Sequence, residues 1–200
     1  MPFATMLRGA LAAALAFSLA ACGINSVPAA EEEAKAKWAD VEAQFQRRAN
    51  LIPNLAEVAK GAAENERTIL TQVTEARAKA TAINITPDDL TDPAKMEAFA
   101  AAQSQLGAGI GRLLASFEAY PQIQSNQNFL ALQSQLEGTE NRIAVAIRDY
   151  NEAVRKYNTT IRTFPDIIGA KVIHGAKPMV PYKAVTEGAE AAPKLDMTTN

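Results

Sequence analysis

The 200-residue sequence has a single cysteine, Cys22, and a single histidine, His174. One cysteine cannot form a disulfide within the chain, and the pair cannot supply a zinc site or a histidine-based catalytic triad. Acidic side chains are numerous, but those of Glu64, Glu66 and Asp88 fall on predicted solvated faces or in a loop, where no apolar pocket surrounds a carboxylate pair. We therefore expect no metal, no cofactor and no enzymatic activity.

The sequence also lacks an apolar run long enough to cross a bilayer. Residues 9–21 contain no charge, but about a dozen residues are fewer than the roughly 20 that a spanning helix needs. Arg8 precedes this run and small residues end it, which is the layout of a secretory signal peptide. Residues 1–21 are therefore predicted to be a signal peptide that is removed on export.

Cys22 ends the segment Leu19-Ala20-Ala21-Cys22, which resembles the lipobox of bacterial lipoproteins. The alternative is an incidental cysteine, buried like any small apolar residue. The resemblance implies a diacylglyceryl group on the thiol and an acyl chain such as palmitate on the freed amine; at about 0.8 kcal/mol per buried methylene, these chains form a stable anchor. We expect an exported lipoprotein, anchored in the cell membrane or outer membrane, with its domain in the periplasm or otherwise outside the cytoplasm.

An excess of basic residues is missing as well. Removing residues 1–21 takes away Arg8 and no acid, which leaves 19 basic and 22 acidic side chains and a formal charge of −3. Such a chain offers no basic surface for nucleic acid. Aromatic residues make up only 6% of the sequence, while alanine and glutamine are abundant, and this composition favours an all-α fold.

Patterning divides the chain after the signal peptide into three parts. Residues 22–30 have no charge and one proline, and are predicted to be a tether that follows the lipid-bearing cysteine. Residues 31–165 carry apolar residues three and four positions apart, which predicts an elongated antiparallel up-and-down helical bundle. Residues 166–200 lack this periodicity and are predicted to form an irregular tail.

Pro53 interrupts the first apolar stripe, and two interpretations remain open. Asn50 can cap a new helix whose first turn tolerates the proline, so that the chain reverses at residues 48–53 and the bundle has four helices. Alternatively, one long helix continues with a kink, as the preserved register of the stripe favours, and the bundle has three helices.

The later helices are separated by turn-forming residues at 84–93, where Asp92 is predicted to cap a helix over residues 93–120. Gly107, Gly109 and Gly111 in this helix indicate either close approach of a neighbouring helix or local weakness.

The last long helix is predicted over residues 126–164, with a heptad seam that ends at Phe164. Gln133 and Glu140 fall on this seam, and they lie either near an open end of the bundle or in a buried polar network.

Several segments resemble the LemA family of bacterial envelope proteins. They are QRRANLIPNLAEVAKG at 46–61, VTEARA at 73–78, EGTENRIAVAIRDYNEAVRKYNTTIRTFP at 137–165 and EGAEAAPKLDM at 187–197. The resemblance implies a helical bundle, usually described as four-helical, and no established enzymatic activity. Family members are often encoded near genes for membrane proteins with a TPM domain or for membrane metalloproteases, which suggests an envelope protein as partner.

The chain departs from the family at both ends. Many members keep an uncleaved transmembrane helix, whereas here a lipid on Cys22 is expected to replace it. Where the family often has an aromatic Phe-Gly-Phe-like segment, this chain has Val172-Ile173-His174-Gly175.

The family motifs also have physical interpretations. Tyr150-Asn151 and Tyr157-Asn158 repeat at seven residues, which predicts tyrosines on the packing seam and cross-helix hydrogen bonds from their side chains. The second motif group comprises Arg47, Arg48, Asn50, Pro53 and Asn54. These residues are expected either to supply partners for those bonds or to form an exposed protein-binding patch.

Two functions follow as hypotheses. The first is a membrane-tethered, non-enzymatic scaffold or interaction module, which binds another envelope protein, with homo-oligomerisation as a further option. The alternative is a binding protein for a lipid or cell-wall fragment, in which the glycine-rich helix gates an apolar cavity in the bundle core.

Overall fold

The protein is all-helical over the part of the chain that the structure describes, which confirms the predicted class. The computed structural model describes residues 2–58 and 64–184, with side chains described over 25–58 and 67–184. The α-helices of these residues are α1 (Pro2–Val58), α2 (Glu64–Ala82), α3 (Pro93–Ser116), α4 (Pro121–Gln124), α5 (Gln127–Thr160) and α6 (Asp166–Gly169). Short 3-10 helices lie at Pro87–Thr91 and Phe117–Ala119, and a π-helical turn lies at Ala170–His174.

Helix α1 continues through Pro53 and ends at Val58, so the predicted reversal at residues 48–53 is wrong. A proline inside a helix removes a backbone hydrogen bond and costs about 3 kcal/mol. Packing offsets this cost, because Ile52 and Leu55 on either side of the proline are fully buried.

The segment assigned to a tether also belongs to α1, which passes through Pro28 without a break. Val27 and Ala30 are buried in the same apolar cluster as Ala34 and Trp38. The three-and-four spacing of the core therefore starts before the charged run at residues 31–33. Residues 25–30 are packed rather than loose, because their small apolar side chains face a surface that the local sequence does not reveal.

Helix α2 runs back along α1. Arg77 Nε donates to the carbonyl oxygen of Ala49 at 2.8 Å, although a straight helix would separate these residues by about 42 Å. Further along α2, Ala80 lies beside Phe45 of α1. The helices α1 and α2 therefore lie side by side, which excludes a single helix that runs through both.

Helix α3 begins as predicted, with the Asp92 carboxylate accepting from the backbone N–H groups of residues 94 and 95. It runs opposite to α2, since Gln103 lies near Ala80 while Gly109 lies against Val73. Gly109 therefore permits close approach of a neighbouring helix, one of the two predicted explanations, whereas a Cβ at Gly111 would meet nothing within 4 Å.

Helix α5 is capped by the side chain of Asn126 and runs opposite to α1. Two ion pairs establish this direction: Lys156 Nζ lies 2.6 Å from Glu33 and Arg48 lies 3.1 Å from Glu140. The predicted heptad seam exists as a buried stripe along α5. Its buried positions, however, include Thr139 instead of Glu140.

The core consists of two apolar clusters separated by a polar layer. One cluster contains the aromatic residues Trp38, Phe45, Phe99, Tyr150 and Tyr182. The other contains Leu51, Ile52, Leu55, Val73, Leu106, Ile110, Leu113, Phe117, Phe129 and Leu136, among others. Between them lie Arg48, Gln103 and Thr139, the buried polar side chains of the described residues.

The chain after α5 packs on the long helices before its described part ends. Phe164 is 71% exposed and lies outside the core, so the predicted seam ends earlier, at Ile161. Residues 166–174, predicted to be irregular, are helical instead. Residues 175–184 are irregular, as predicted, but Met179 and Tyr182 are buried in the first cluster.

The glycines of α3 provide a paired test of helix packing. A Cβ at Gly111 would meet nothing within 4 Å, whereas a Cβ at Gly109 would lie 3.3 Å from Val73 Cγ2. We expect Gly111→Ala to raise the free energy of unfolding by about 1 kcal/mol through helix propensity, and Gly109→Val to lower it by about 1–3 kcal/mol through overpacking. Urea unfolding of both variants measures this difference; equal effects would contradict the close approach of α2 and α3.

Candidate functional site

Arg48 lies at the centre of the polar layer, where it is 4% exposed. Its Nη2 donates to the backbone oxygen and to Oε1 of Gln103, both at 2.9 Å, and its Nη1 donates to Glu140 at 3.1 Å. Gln103 in turn donates from Nε2 to Ala80 of α2 at 3.4 Å. One side chain therefore connects α1, α3 and α5 directly, and α2 through Gln103.

The surroundings of Arg48 fit a planar cation. The guanidinium carbon lies 5.1 Å from the centre of the Phe45 ring, within the range of a cation–π interaction. On α3, a Cβ at Gly107 would lie 3.3 Å from Nη1. The glycine therefore leaves room for the guanidinium, a role that the spacing of the three glycines did not reveal.

Glu140 does not fit either alternative predicted for it. Its side chain is 50% exposed, yet it pairs with the buried Arg48. The carboxylate therefore lies at the rim of the polar layer, where water reduces the cost of its charge. Gln133 is partly buried and donates to Glu137 on the same helix at 3.2 Å.

The remaining residues of the Pro53 motif are exposed on α1. Arg47, Asn50 and Asn54 are spaced by three and four residues and share one helix face with Pro53. Asn50 accepts a hydrogen bond from Gln46 one turn earlier, at 2.9 Å. In the described part of the chain, the hydrogen bonds of the Tyr-Asn motif go to other residues, so Arg48 is the member of this group that belongs to the buried network.

The two Tyr-Asn pairs of α5 bind the backbone of the C-terminal segment. Asn158 donates to the oxygen of Met179 at 2.8 Å and accepts from its N–H at 2.9 Å. Asn151 makes the same two bonds with Tyr182, at 3.0 and 2.8 Å. The predicted hydrogen bonds exist, but their partner is not another helix, so that part of the prediction is wrong.

The tyrosines add two bonds to the same segment, which we call the strap (residues 177–182). Tyr157 donates to the oxygen of Lys177 at 3.1 Å, and Tyr150 donates to that of Val180 at 2.8 Å. Seven residues of helix rise about 10.5 Å, and three residues of extended or polyproline II backbone rise about 9–10 Å. The seven-residue repeat of α5 therefore matches every third residue of the strap.

The sequence did contain a signal for the strap. Pro178 and Pro181 occur three residues apart, and proline favours an extended backbone without an N–H group of its own. Such a segment needs external partners for its remaining N–H and carbonyl groups, which the asparagine amides supply.

Burial keeps the phenols of this region neutral. It raises the pKa of Tyr182 to about 12, with smaller opposing contributions from the charges of Arg48 and Glu140. Burial also raises the pKa of Tyr150 and of Tyr157 above the ordinary value for tyrosine. Tyr150 and Tyr157 therefore remain hydrogen-bond donors to the strap at neutral pH.

Other predicted features lie apart from this network. The side chain of Cys22 lies outside the described residues, and His174 is exposed in the π-helical turn. Among the side chains that the structure describes, no group of three or more histidine, cysteine or acidic residues is placed to hold a metal ion. The helices of the described region include no stretch that is both long enough and apolar enough to span a membrane.

The glycine-rich part of α3 does not open into an apolar chamber. The depression beside Gly109 lies between α2 and α3 and is lined by polar residues such as Gln72, Glu75, Lys79 and Arg112. Gly109 itself lies against Val73. These contacts disfavour the predicted gate.

Replacing Arg48 tests the polar layer. We expect Arg48→Ala to lower the free energy of unfolding by about 3 kcal/mol, because it removes packing and leaves the buried Gln103 amide without its donor. Arg47→Ala is the matched control on the exposed face of the same helix and should change it by less than about 0.5 kcal/mol. Chemical denaturation of both variants provides the measurement, and a similar effect of the two would refute the central role of Arg48.

Replacing Asn158 tests the strap. Asn158→Ala removes both bonds to Met179 and should cost about 1–2 kcal/mol, with faster hydrogen exchange of the Met179 amide than in wild type. Asn141→Ala, at an exposed position of α5, should leave that exchange unchanged. If Met179 exchanges at the wild-type rate in the Asn158 variant, the asparagine does not hold the strap.

Comparison with known proteins agrees with these motifs. The LemA family model matches residues 37–197. Magnetosome protein MamQ 2 of Paramagnetospirillum magneticum is 29% identical over 157 residues, which cover 70% of this chain and 58% of that protein. Magnetosome protein MamQ of Magnetospirillum gryphiswaldense is 28% identical over 150 residues, covering 67% and 55% of the two chains.

Protein LemA of Metamycoplasma hominis is 26% identical over 124 residues, covering 62% of this chain and 52% of its own. The chain thus spans a little over half the length of these curated relatives. The family match includes both the Pro53 motif and the Tyr-Asn repeat, and it extends over most of the sequence. The chain belongs to the LemA family.

Proposed function

We propose that this protein is a membrane-tethered, non-enzymatic helical module of the bacterial envelope, which presents the Pro53 face of α1 to another envelope protein. Family membership supports a role in the envelope, and the names of the relatives describe magnetosome and LemA proteins without naming a reaction. In this proposal the long helices form an antiparallel up-and-down bundle, anchored by lipid on Cys22.

The exposure of the Pro53 motif carries the proposal. Arg48 of this motif has a structural role in the polar layer, whereas Arg47, Asn50, Pro53 and Asn54 are exposed together on one face. An arginine and two amides beside a proline offer donors, acceptors and a rigid apolar surface to a protein partner. The motif therefore has one buried part that holds the bundle and one exposed part available for binding.

The anchor and the binding face lie at different heights on the same helix. From Cys22 to Pro53, α1 has 31 residues without interruption, which correspond to about 46 Å. The partner is therefore expected to present its complementary surface at about this distance from the membrane.

Site-specific photo-crosslinking in living cells tests this function. A photoreactive residue at position 47 or 54 should capture the same envelope protein. The matched control at Glu137, exposed on α5, should not capture it. The Cys22→Ser variant should lose both membrane association and capture.

The outcomes separate the parts of the proposal. Equal capture from positions 47 and 137 would exclude the Pro53 face as the binding surface. Capture of a second copy from positions 47 and 54 would make the partner the protein itself. Retention of the Cys22→Ser variant at the membrane would contradict the lipid anchor.

A further inference from the structure

An apolar surface lies immediately after α5, in the segment that ends the helical part of the chain. Phe164, Ile168, Val172 and Ile173 are between 53% and 78% exposed. They occur within ten residues, whereas Leu130 and Val145 are the other large apolar side chains exposed in the described part of the chain. We call these four residues the apolar tip.

The apolar tip belongs to a segment with two apolar faces. Gly169 and Ala170 are buried where α6 and the following π-helical turn pack on α1. Ile168 and Val172, four positions apart, face away from that contact. A helical segment in water normally has polar residues on its outer face, so the apolar outer face indicates that something covers it.

The tip lies at the end of the protein where α1 leaves Cys22. Ser26 Oγ donates to the carboxylate of Asp166, between Phe164 and Ile168. Because α1 is continuous, Ser26 lies about 6 Å along the helix axis from Cys22. Asp166, which lies within the tip segment, is therefore at the level of Ser26, about one helical turn along α1 from the residue proposed to carry the lipid.

The charge of this end also fits a membrane surface. Residues 161–177 contain three basic residues and one acid, a formal charge of +2 in a chain whose total is −2. The basic residues are Arg162, Lys171 and Lys177, all exposed, and the acid is Asp166, which binds Ser26. The acids of α1 closest to this end, residues 31–33, are paired with Lys35 or Lys156.

From these observations we propose that the apolar tip inserts into the interfacial region of the bilayer, with Arg162 and Lys171 beside the anionic headgroups. This inference rests on the proposed lipid anchor at Cys22. Apolar side chains flanked by basic residues are the combination that binds membrane interfaces. The protein then contacts the membrane at two places, the lipid and the tip, and the bundle holds a fixed orientation.

A tryptophan reporter at the tip tests the insertion. The full-length lipidated protein is placed in vesicles of phosphatidylethanolamine and phosphatidylglycerol, with or without bromine on the acyl chains. The Ile168→Trp variant should show a blue-shifted emission and at least twofold quenching by brominated lipid. Wild type, with only the buried Trp38, provides the baseline.

Leu130→Trp is the matched control, since Leu130 is also an exposed aliphatic residue but lies near the opposite end of α5. It should show wild-type quenching. Phe164→Trp is a second reporter at the tip, with the same expected blue shift and quenching, and it replaces Ile168→Trp if that variant does not fold. Equal quenching at positions 168 and 130 would overturn the proposal. A blue shift that depends on protein density but not on bromine would assign the tip to a second copy instead.

Mass spectrometry of the Cys22 peptide distinguishes failure of the anchor from failure of the tip. If wild type carries no lipid on Cys22, both the anchor and this inference are overturned. If the lipid is present but the tip remains unquenched, the anchor stands and only the insertion is refuted.

Discussion

One buried cation, the guanidinium of Arg48, sets how the long helices lie against each other. It bonds to Gln103 of α3 and to Glu140 of α5, and Gln103 extends the contact to α2. A buried charge costs several kcal/mol unless it is paired and hydrogen-bonded. Nη1 and Nη2 of Arg48 make these bonds, whereas its Nε has no partner in the described part of the chain. Sliding a helix by one residue, about 1.5 Å, would stretch these bonds beyond hydrogen-bonding distance, whereas the apolar contacts on either side are not directional. We infer that the polar layer specifies the register and the apolar clusters supply most of the stability.

The strap is also held in register by hydrogen bonds from buried or partly buried side chains, here those of the Tyr-Asn pairs of α5. An asparagine amide donates to a carbonyl and accepts from the N–H of the same residue, which is how a neighbouring β-strand would bind it. The asparagine side chains of helix α5 thus make the same pair of hydrogen bonds that the backbone of an edge strand would make. Tyr182 then places its ring 5.8 Å from that of Phe45, so the strap completes the aromatic cluster that adjoins Arg48.

Features encoded by neighbouring residues were predictable from the sequence, and those decided by distant contacts were not. The cap at Asp92 followed from local hydrogen bonding. The passage of α1 through Pro53 depended on burial that outweighs a local penalty. Asn151 and Asn158 were identified as hydrogen-bonding residues, but their partners lie 31 and 21 positions away in the chain. Both Thr139 and Glu140 fit the periodicity approximately, and only the position of Arg48 decides which one is buried.

The helical state of residues 25–30 has a consequence for how a partner would be found. A flexible connection would let the Pro53 face sample a large volume above the membrane and would dilute it there. If Cys22 carries the proposed lipid, the helix starts directly behind the anchor, and the Pro53 face would be confined to a thin layer at nearly constant height above the membrane. Such confinement raises the effective concentration of the Pro53 face for a partner whose binding surface lies in that layer. It lowers the effective concentration of the face for partners whose surfaces lie at other heights. The length of α1 would then act as a ruler that selects partners by their height above the bilayer.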